Sequence, residues 1–136
     1  RFIFINTGLA KFYLIATVIT SASSLFIFRA TGAFNMAHFN SVIIILAVLF
    51  AYILHKRSIF GSLSIYLKQL ALTGTVFFSM LPTTVEVLKR VPPSNPLASS
   101  IEDPLVLNFY MSYVVIFGIF AVYQIFKISK GEINEI

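Results

Sequence analysis

The sequence predicts an all-α integral membrane protein, a bundle of four transmembrane helices arranged as two helical hairpins. Three observations predict it. Hydrophobic residues make up 58% of the 136 residues and charged residues only 11%, where a soluble domain carries about 25% charge. A chain this short has too much surface to hide that much apolar side chain in a water-soluble core. Finally, the apolar residues fall into four runs near the roughly 20 residues a helix needs to cross a bilayer. The length suits a single domain over residues 1–136.

The first helix is expected over about residues 8–28. Its charge-free core, Phe12 to Phe28, is bounded by Lys11 and Arg29, so the helix begins earlier, with Lys11 snorkelling to the headgroups. Thr17, Thr20, Ser21 and Ser24 recur at helical spacing on one face. Small polar faces let membrane helices approach and hydrogen-bond, so these four residues are assigned as a helix-packing face. A path lined by hydroxyls is the alternative.

The second helix is expected over about 36–54. Ser41 to Leu54 is almost wholly apolar, and His55, Lys56 and Arg57 close it as a cationic cluster that suits the negative end of the helix dipole. The third is expected over about 69–88, between Lys68 and the Lys89–Arg90 pair, with a kink at Pro82. Glu86 lies three and four residues before Lys89 and Arg90, within reach for an interfacial ion pair. A proton-carrying carboxylate is the alternative. The fourth is the clearest, at about 105–126. Leu105 to Phe126 carries no charge, Pro104 fits a first helical turn, and Asp103 stands where a cap would. The connection before it, Val91 to Asp103, contains three prolines, which stiffen it. Ser99 and Glu102 have capping-box spacing there.

Four crossings put the two termini together. Their side carries Arg1, Lys11, Lys56, Arg57, Lys68, Lys127 and Lys130, against Arg29, Lys89 and Arg90 on the other. The positive-inside rule then places both termini in the cytoplasm, or in the matrix of a mitochondrion. The expected setting is the mitochondrial inner membrane or a bacterial plasma membrane. The opening Arg1 in place of Met would suit a processed mitochondrial protein.

No catalytic constellation is expected. The chain has no cysteine. His38 and His55 lie 17 residues apart on one helix, about 25 Å at 1.5 Å per residue, too far to share a metal or haem. His38 reads as an interfacial polar residue, with a ligand shared between subunits as the alternative. No Gly-rich phosphate loop occurs, and no base stands ready to activate a serine or threonine. No metal and no cofactor is assigned. The basic residues sit singly or in pairs between apolar runs, which is how membrane orientation is written, so nucleic acid is not expected as a partner.

The two hairpins open and close alike. Arg1-Phe-Ile-Phe-Ile-Asn-Thr-Gly opens one and Lys68-Gln-Leu-Ala-Leu-Thr-Gly the other. His55-Lys56-Arg57-Ser58-Ile59-Phe60 and Phe126-Lys127-Ile128-Ser129-Lys130 close them. This layout resembles the GtrA-like family of four-helix membrane proteins, which move or use polyprenyl-phosphate sugars. Arg1-Phe2, Gly8 and Lys56-Arg57-Ser58-Ile59-Phe60 carry the resemblance over most of the chain. The sequence departs from the family in having no tryptophan, and in placing His55 where an asparagine is usual. The resemblance implies lipid-linked sugar binding, with Lys56, Arg57, Lys89 and Arg90 contacting lipid headgroups or the phosphate. Separately, Phe28-Arg29-Ala30-Thr31-Gly32 is similar to the His-Arg-x-Thr-Gly element of quinone-site anchors, with Phe28 in place of the histidine; no assignment rests on it.

The primary expectation is a non-catalytic, multi-pass subunit of a larger membrane complex, such as an accessory or anchor subunit of a respiratory chain. Its partners would be membrane lipids and other transmembrane subunits or further copies of itself. The 15 Phe and 6 Tyr suit such contacts. A GtrA-like carrier of polyprenyl-phosphate sugars, or the membrane domain of a lipid-linked glycosyltransferase, is the alternative.

Overall fold

A computed structural model of the chain describes residues 5–26, 32–34 and 36–131. Four helices, α1 (Gly8–Leu25), α2 (Met36–Lys56), α3 (Leu63–Arg90) and α4 (Pro104–Ser129), are each long and apolar enough to cross a membrane. Both α1 and α2 start where the sequence predicts. The helix α1 closes at Leu25 with Phe26 as its C-cap; residues 27–28 of the expected span lie outside the described residues, as do Phe28 to Thr31 of the quinone-anchor-like element.

Local chemistry sets the helix ends. The Thr7 hydroxyl accepts from the Ala10 amide at 3.2 Å and caps α1. Asp103 does the same for α4, its Oδ1 accepting from the Leu105 amide at 3.0 Å, with Pro104 in the first turn. The expected Ser99–Glu102 capping box does not form. Asp103 takes that role too, its Oδ2 accepting from the Ser99 amide at 3.1 Å, while the Glu102 amide turns to the Ser100 hydroxyl at 3.2 Å. One carboxylate therefore ties the end of the loop to the start of α4.

The largest correction is to α3. It begins at Leu63, six residues before the expected start at 69. Lys68 is not a boundary but a residue of the second helical turn, with its side chain packed into the bundle. The residues that precede it form a tight turn. The Phe60 amide donates to Ser64 Oγ at 3.1 Å, and Gly61, with φ of +55°, takes the left-handed conformation that glycine adopts without strain.

Contacts run α1 to α2, α2 to α3 and α3 to α4. Three side-chain bonds fix the register. Tyr13 donates to Thr75 Oγ1 at 2.8 Å, across α1 and α3. Gln124 Nε2 donates to Thr73 Oγ1 at 2.7 Å, and Tyr113 bonds Thr84 at 2.7 Å. The last two bonds are eleven residues apart on both helices, so α3 and α4 run antiparallel without slipping. The start of α1, the end of α2, the start of α3 and the end of α4 therefore share one end of the bundle, called here the terminal end.

Apolar packing falls into two clusters. Ile5, Leu14, Val48, Ala51 and Leu72 join α1, α2 and α3. Val85, Leu88, Ala98 and Val106 join the far end of α3 to the loop and the start of α4. Helix α4 leans on α3 and leaves Met111, Val114, Ile119 and Val122 exposed. The two hairpins are alike in connectivity but not in detail: Thr7 and Gly8 begin α1, whereas Thr73 and Gly74 lie buried inside α3.

Candidate functional site: a basic recess at the terminal end

The turn between α2 and α3 leaves a recess of about 330 Å3, walled by Asn6, Leu54, His55, Ser58, Gly61, Ser62, Ser64, Ile65 and Lys68. That volume lies at the lower end of the range for ligand sites. Three segments build it. Asn6 enters from the stretch before α1, and His55 Nε2 meets Asn6 Oδ1 at 3.2 Å. Ser58, Gly61 and Ser62 come from the turn. Ser64 and Lys68 lie one helical turn apart on α3, so both face the same way.

The wall is rich in hydrogen-bonding groups. Ser62 precedes α3 without bonding its backbone. Ser64 Oγ accepts from the Phe60 amide, leaving its proton to give elsewhere. Lys68 is only 6% exposed although it carries a charge. Lys11, Lys56 and Lys68, one each from α1, α2 and α3, lie toward this end of the bundle. Among the described residues no carboxylate stands at this end; Glu132 and Glu135 lie outside them. Such a recess has the chemistry to hold a small anion through one ammonium and several neutral donors.

The expected site residues are distributed as follows. Ser21 is buried, Thr17 and Ser24 are half-buried, and Thr20 is exposed. The Ser24 and Ser41 hydroxyls share a hydrogen bond between α1 and α2. Lys56 and Arg57 are exposed beside the recess, with the Lys56 ammonium 5.9 Å from the centre of the Tyr52 ring. Lys89 and Arg90 are exposed at the opposite end, where Arg90 Nε meets Glu86 Oε2 at 2.5 Å. The pair that the spacing suggested thus forms at the four-residue separation. His38, expected at the interface, is instead buried at 1% exposure and stacked on Phe34 with ring centres 5.3 Å apart.

In the sequence pattern Lys68 looks like a span boundary, and no motif singles out Asn6, Ser58, Ser62 or Ser64. One signal was present. Ser58, Ser62 and Ser64 crowd a seven-residue stretch with a glycine, more polar than a short membrane turn requires. Gln69 and Gln124 were missed as well, and both are fully or almost fully buried between helices.

Comparison with protein-family models, curated proteins and solved structures finds no match. The likeness to the GtrA-like family rests on the residues quoted for it above.

Proposed function

We propose that this is a non-catalytic, multi-pass integral membrane protein that holds the phosphate of a membrane-lipid headgroup in the recess at its terminal end. The observation that carries the reading is Lys68, nearly buried in the wall of a cavity lined by serine hydroxyls, an amide and an imidazole. A tetrahedral oxyanion can use several such donors at once. The recess opens at the end of the bundle, at the level where headgroups lie if the four apolar helices span the bilayer. Its basic surroundings favour the cytoplasmic or matrix side for that end.

Two observations bear on the setting. Asn6 and Ser58 lie within or beside the segments that resemble the GtrA-like family, which favours a carrier of lipid-linked sugars. The exposed apolar face of α4 favours a subunit of a larger membrane complex, since such a face can pack on another helix as readily as on lipid. Native-gel migration separates these settings. A 15 kDa species without partners after mild extraction argues against the complex.

The headgroup reading is tested by titrating the detergent-solubilised protein with a short-chain phosphatidic acid and with the matching diacylglycerol. Only the phosphate-bearing lipid binds, and Lys68→Gln weakens it by about tenfold or more, the equivalent of one charge-assisted hydrogen bond. Equal binding of the two lipids, or no effect of Lys68→Gln, overturns the reading.

A further inference from the structure

Pro82 lies inside α3, yet the helix runs unbroken from Leu63 to Arg90. A proline within a helix removes one N–H and presses its ring against the carbonyl four residues earlier. Here that carbonyl belongs to Phe78. It does not go without a donor: Asn40 Nδ2, from the neighbouring helix α2, donates to Phe78 O at 2.9 Å. The amide stands in for the missing N–H, which is how membrane helices tolerate an internal proline.

The surroundings of Pro82 favour bending. Ser79 and Thr83 donate to the carbonyls of Thr75 and Ser79 at 2.7 and 3.0 Å, and Thr84 donates to Met80 O at 2.8 Å. Hydroxyls bonded back to their own helix bend it. The α3–α4 register puts Gly118 level with Ser79, and a side chain begun at its position would meet nothing within 4 Å. The helix beside the proline thus has its own flexible point at the same height. Pro82 also falls between the two apolar clusters. Leu72 belongs to the cluster with α1 and α2, whereas Val85 and Leu88 belong to the cluster with the loop and the start of α4.

We propose that α3 is hinged at Pro82 and that Asn40 is the clasp that sets the hinge angle. The outer body, made of the end of α3, the proline-rich loop and the start of α4, swings against the body that contains α1, α2 and the recess. The Asn40 amide fixes where the Phe78 carbonyl points, and so holds one angle among those that the proline permits. The device is independent of whether the recess binds a headgroup.

The chain has no cysteine, so spin labels can be placed without background. Labels at Met36 and Val87, both exposed at the outer ends of α2 and α3, report the angle across the hinge. With Asn40 in place the distance distribution is single and narrow. Asn40→Leu loses that single peak and becomes broad. Adding Pro82→Ala restores the backbone N–H, so Asn40→Leu/Pro82→Ala returns to a narrow distribution. A narrow distribution in Asn40→Leu alone overturns the proposal. So does a distribution in the double variant as broad as in the single one, because Asn40 would then act through packing rather than through the orphaned carbonyl. Should Asn40→Leu fail to fold, rescue of folding by Pro82→Ala supports the clasp and failure of that rescue overturns it.

Discussion

The two ends of the bundle carry basic residues for different ends. At the terminal end, Lys68 stands in the wall of a hydroxyl-lined recess and Lys11 and Lys56 lie on the neighbouring helices, with no carboxylate among the described residues. At the opposite end Arg90 is paired with Glu86, Glu102 and Asp103 stand nearby in sequence, and the junction of α3, loop and α4 is filled by Val85, Leu88, Ala98 and Val106. Basic residues at both ends look equivalent when counted for topology. They differ in setting: Lys68 is nearly buried in the wall of the recess, whereas Arg90 is exposed and paired with Glu86. An anion gains most where a cation is desolvated among neutral donors, and least where a guanidinium is paired and wet.

The sharpest break of this comparison is a pair of charge removals, one at each end. Lys68→Gln lowers affinity for a phosphate-bearing lipid by about tenfold or more, whereas Arg90→Gln leaves it unchanged. If a flipping assay shows transport, Arg57→Ala lowers it modestly, since Arg57 is exposed beside the recess, and Arg90→Ala does not. Equal losses at the two ends would mean that the protein holds its ligand symmetrically on both faces, and that the recess is not the principal site.

The ends also differ in how α3 and α4 are stitched. Tyr113 donates to Thr84, whose own hydroxyl donates to Met80 O, so every partner is satisfied. Tyr113→Phe should cost about 0.6 kcal/mol, the average for such bonds between membrane helices. Gln124 differs: it is 1% exposed, its Nε2 donates to Thr73, and its Oε1 has no partner among the described residues. Gln124→Leu removes a buried acceptor along with the bond, and Thr73 can turn its hydroxyl to its own helix. The expected change is near zero or stabilising, within about 1 kcal/mol. Unfolding in denaturing detergent reads both. A large loss for Gln124→Leu would show that Oε1 holds something the fold needs.

Helix number, the starts of α1 and α2 and the cap at Asp103 were legible because each rests on local pattern: apolar run length, an oxygen before a helix, proline at a first turn. Lys68 was misread because a charge beside an apolar run marks a span boundary in most membrane sequences. Only the turn at residues 57–62, with Gly61 at positive φ, shows that the helix starts earlier and carries the lysine inward. Asn40 and Phe78 could not be joined from sequence. Pro82 announces an orphaned carbonyl, but which neighbouring side chain reaches it depends on the register of α2 against α3. The recess is likewise a product of three segments meeting, with Asn6 and His55 forty-nine residues apart.

Protonation offers a finer test of the outer end. The Leu105 amide, with the Ser99 amide and hydroxyl, bonds the Asp103 carboxylate and holds it below its ordinary value of 3.8. A depressed folded value means that the charged form is the one the fold favours. Its contribution is therefore complete at neutral pH and is lost as pH falls through the folded value, below about 4. Acidification should loosen the start of α4 and the loop, seen as faster amide exchange at Leu105 relative to the middle of α4. Asp103→Asn should abolish that pH dependence. If the pH response persists in Asp103→Asn, another group governs this end.

The smallest effect is expected at the most visible ion pair. Arg90 and Glu86 meet at 2.5 Å, but their side chains are 76% and 56% exposed. Water and salt screen such a pair, and two side chains must be ordered to keep it, so exposed pairs contribute about 0–1 kcal/mol. Glu86→Gln should change stability by no more than about 0.5 kcal/mol, and added salt should reduce even that. The same substitution removes the partner that Glu86 gives Arg90. If Glu86→Gln then creates phosphate-lipid binding at the outer end, uncompensated charge is sufficient for binding. If it does not, the hydroxyl-lined recess around Lys68 is what separates the two ends, and the comparison holds on geometry rather than on charge.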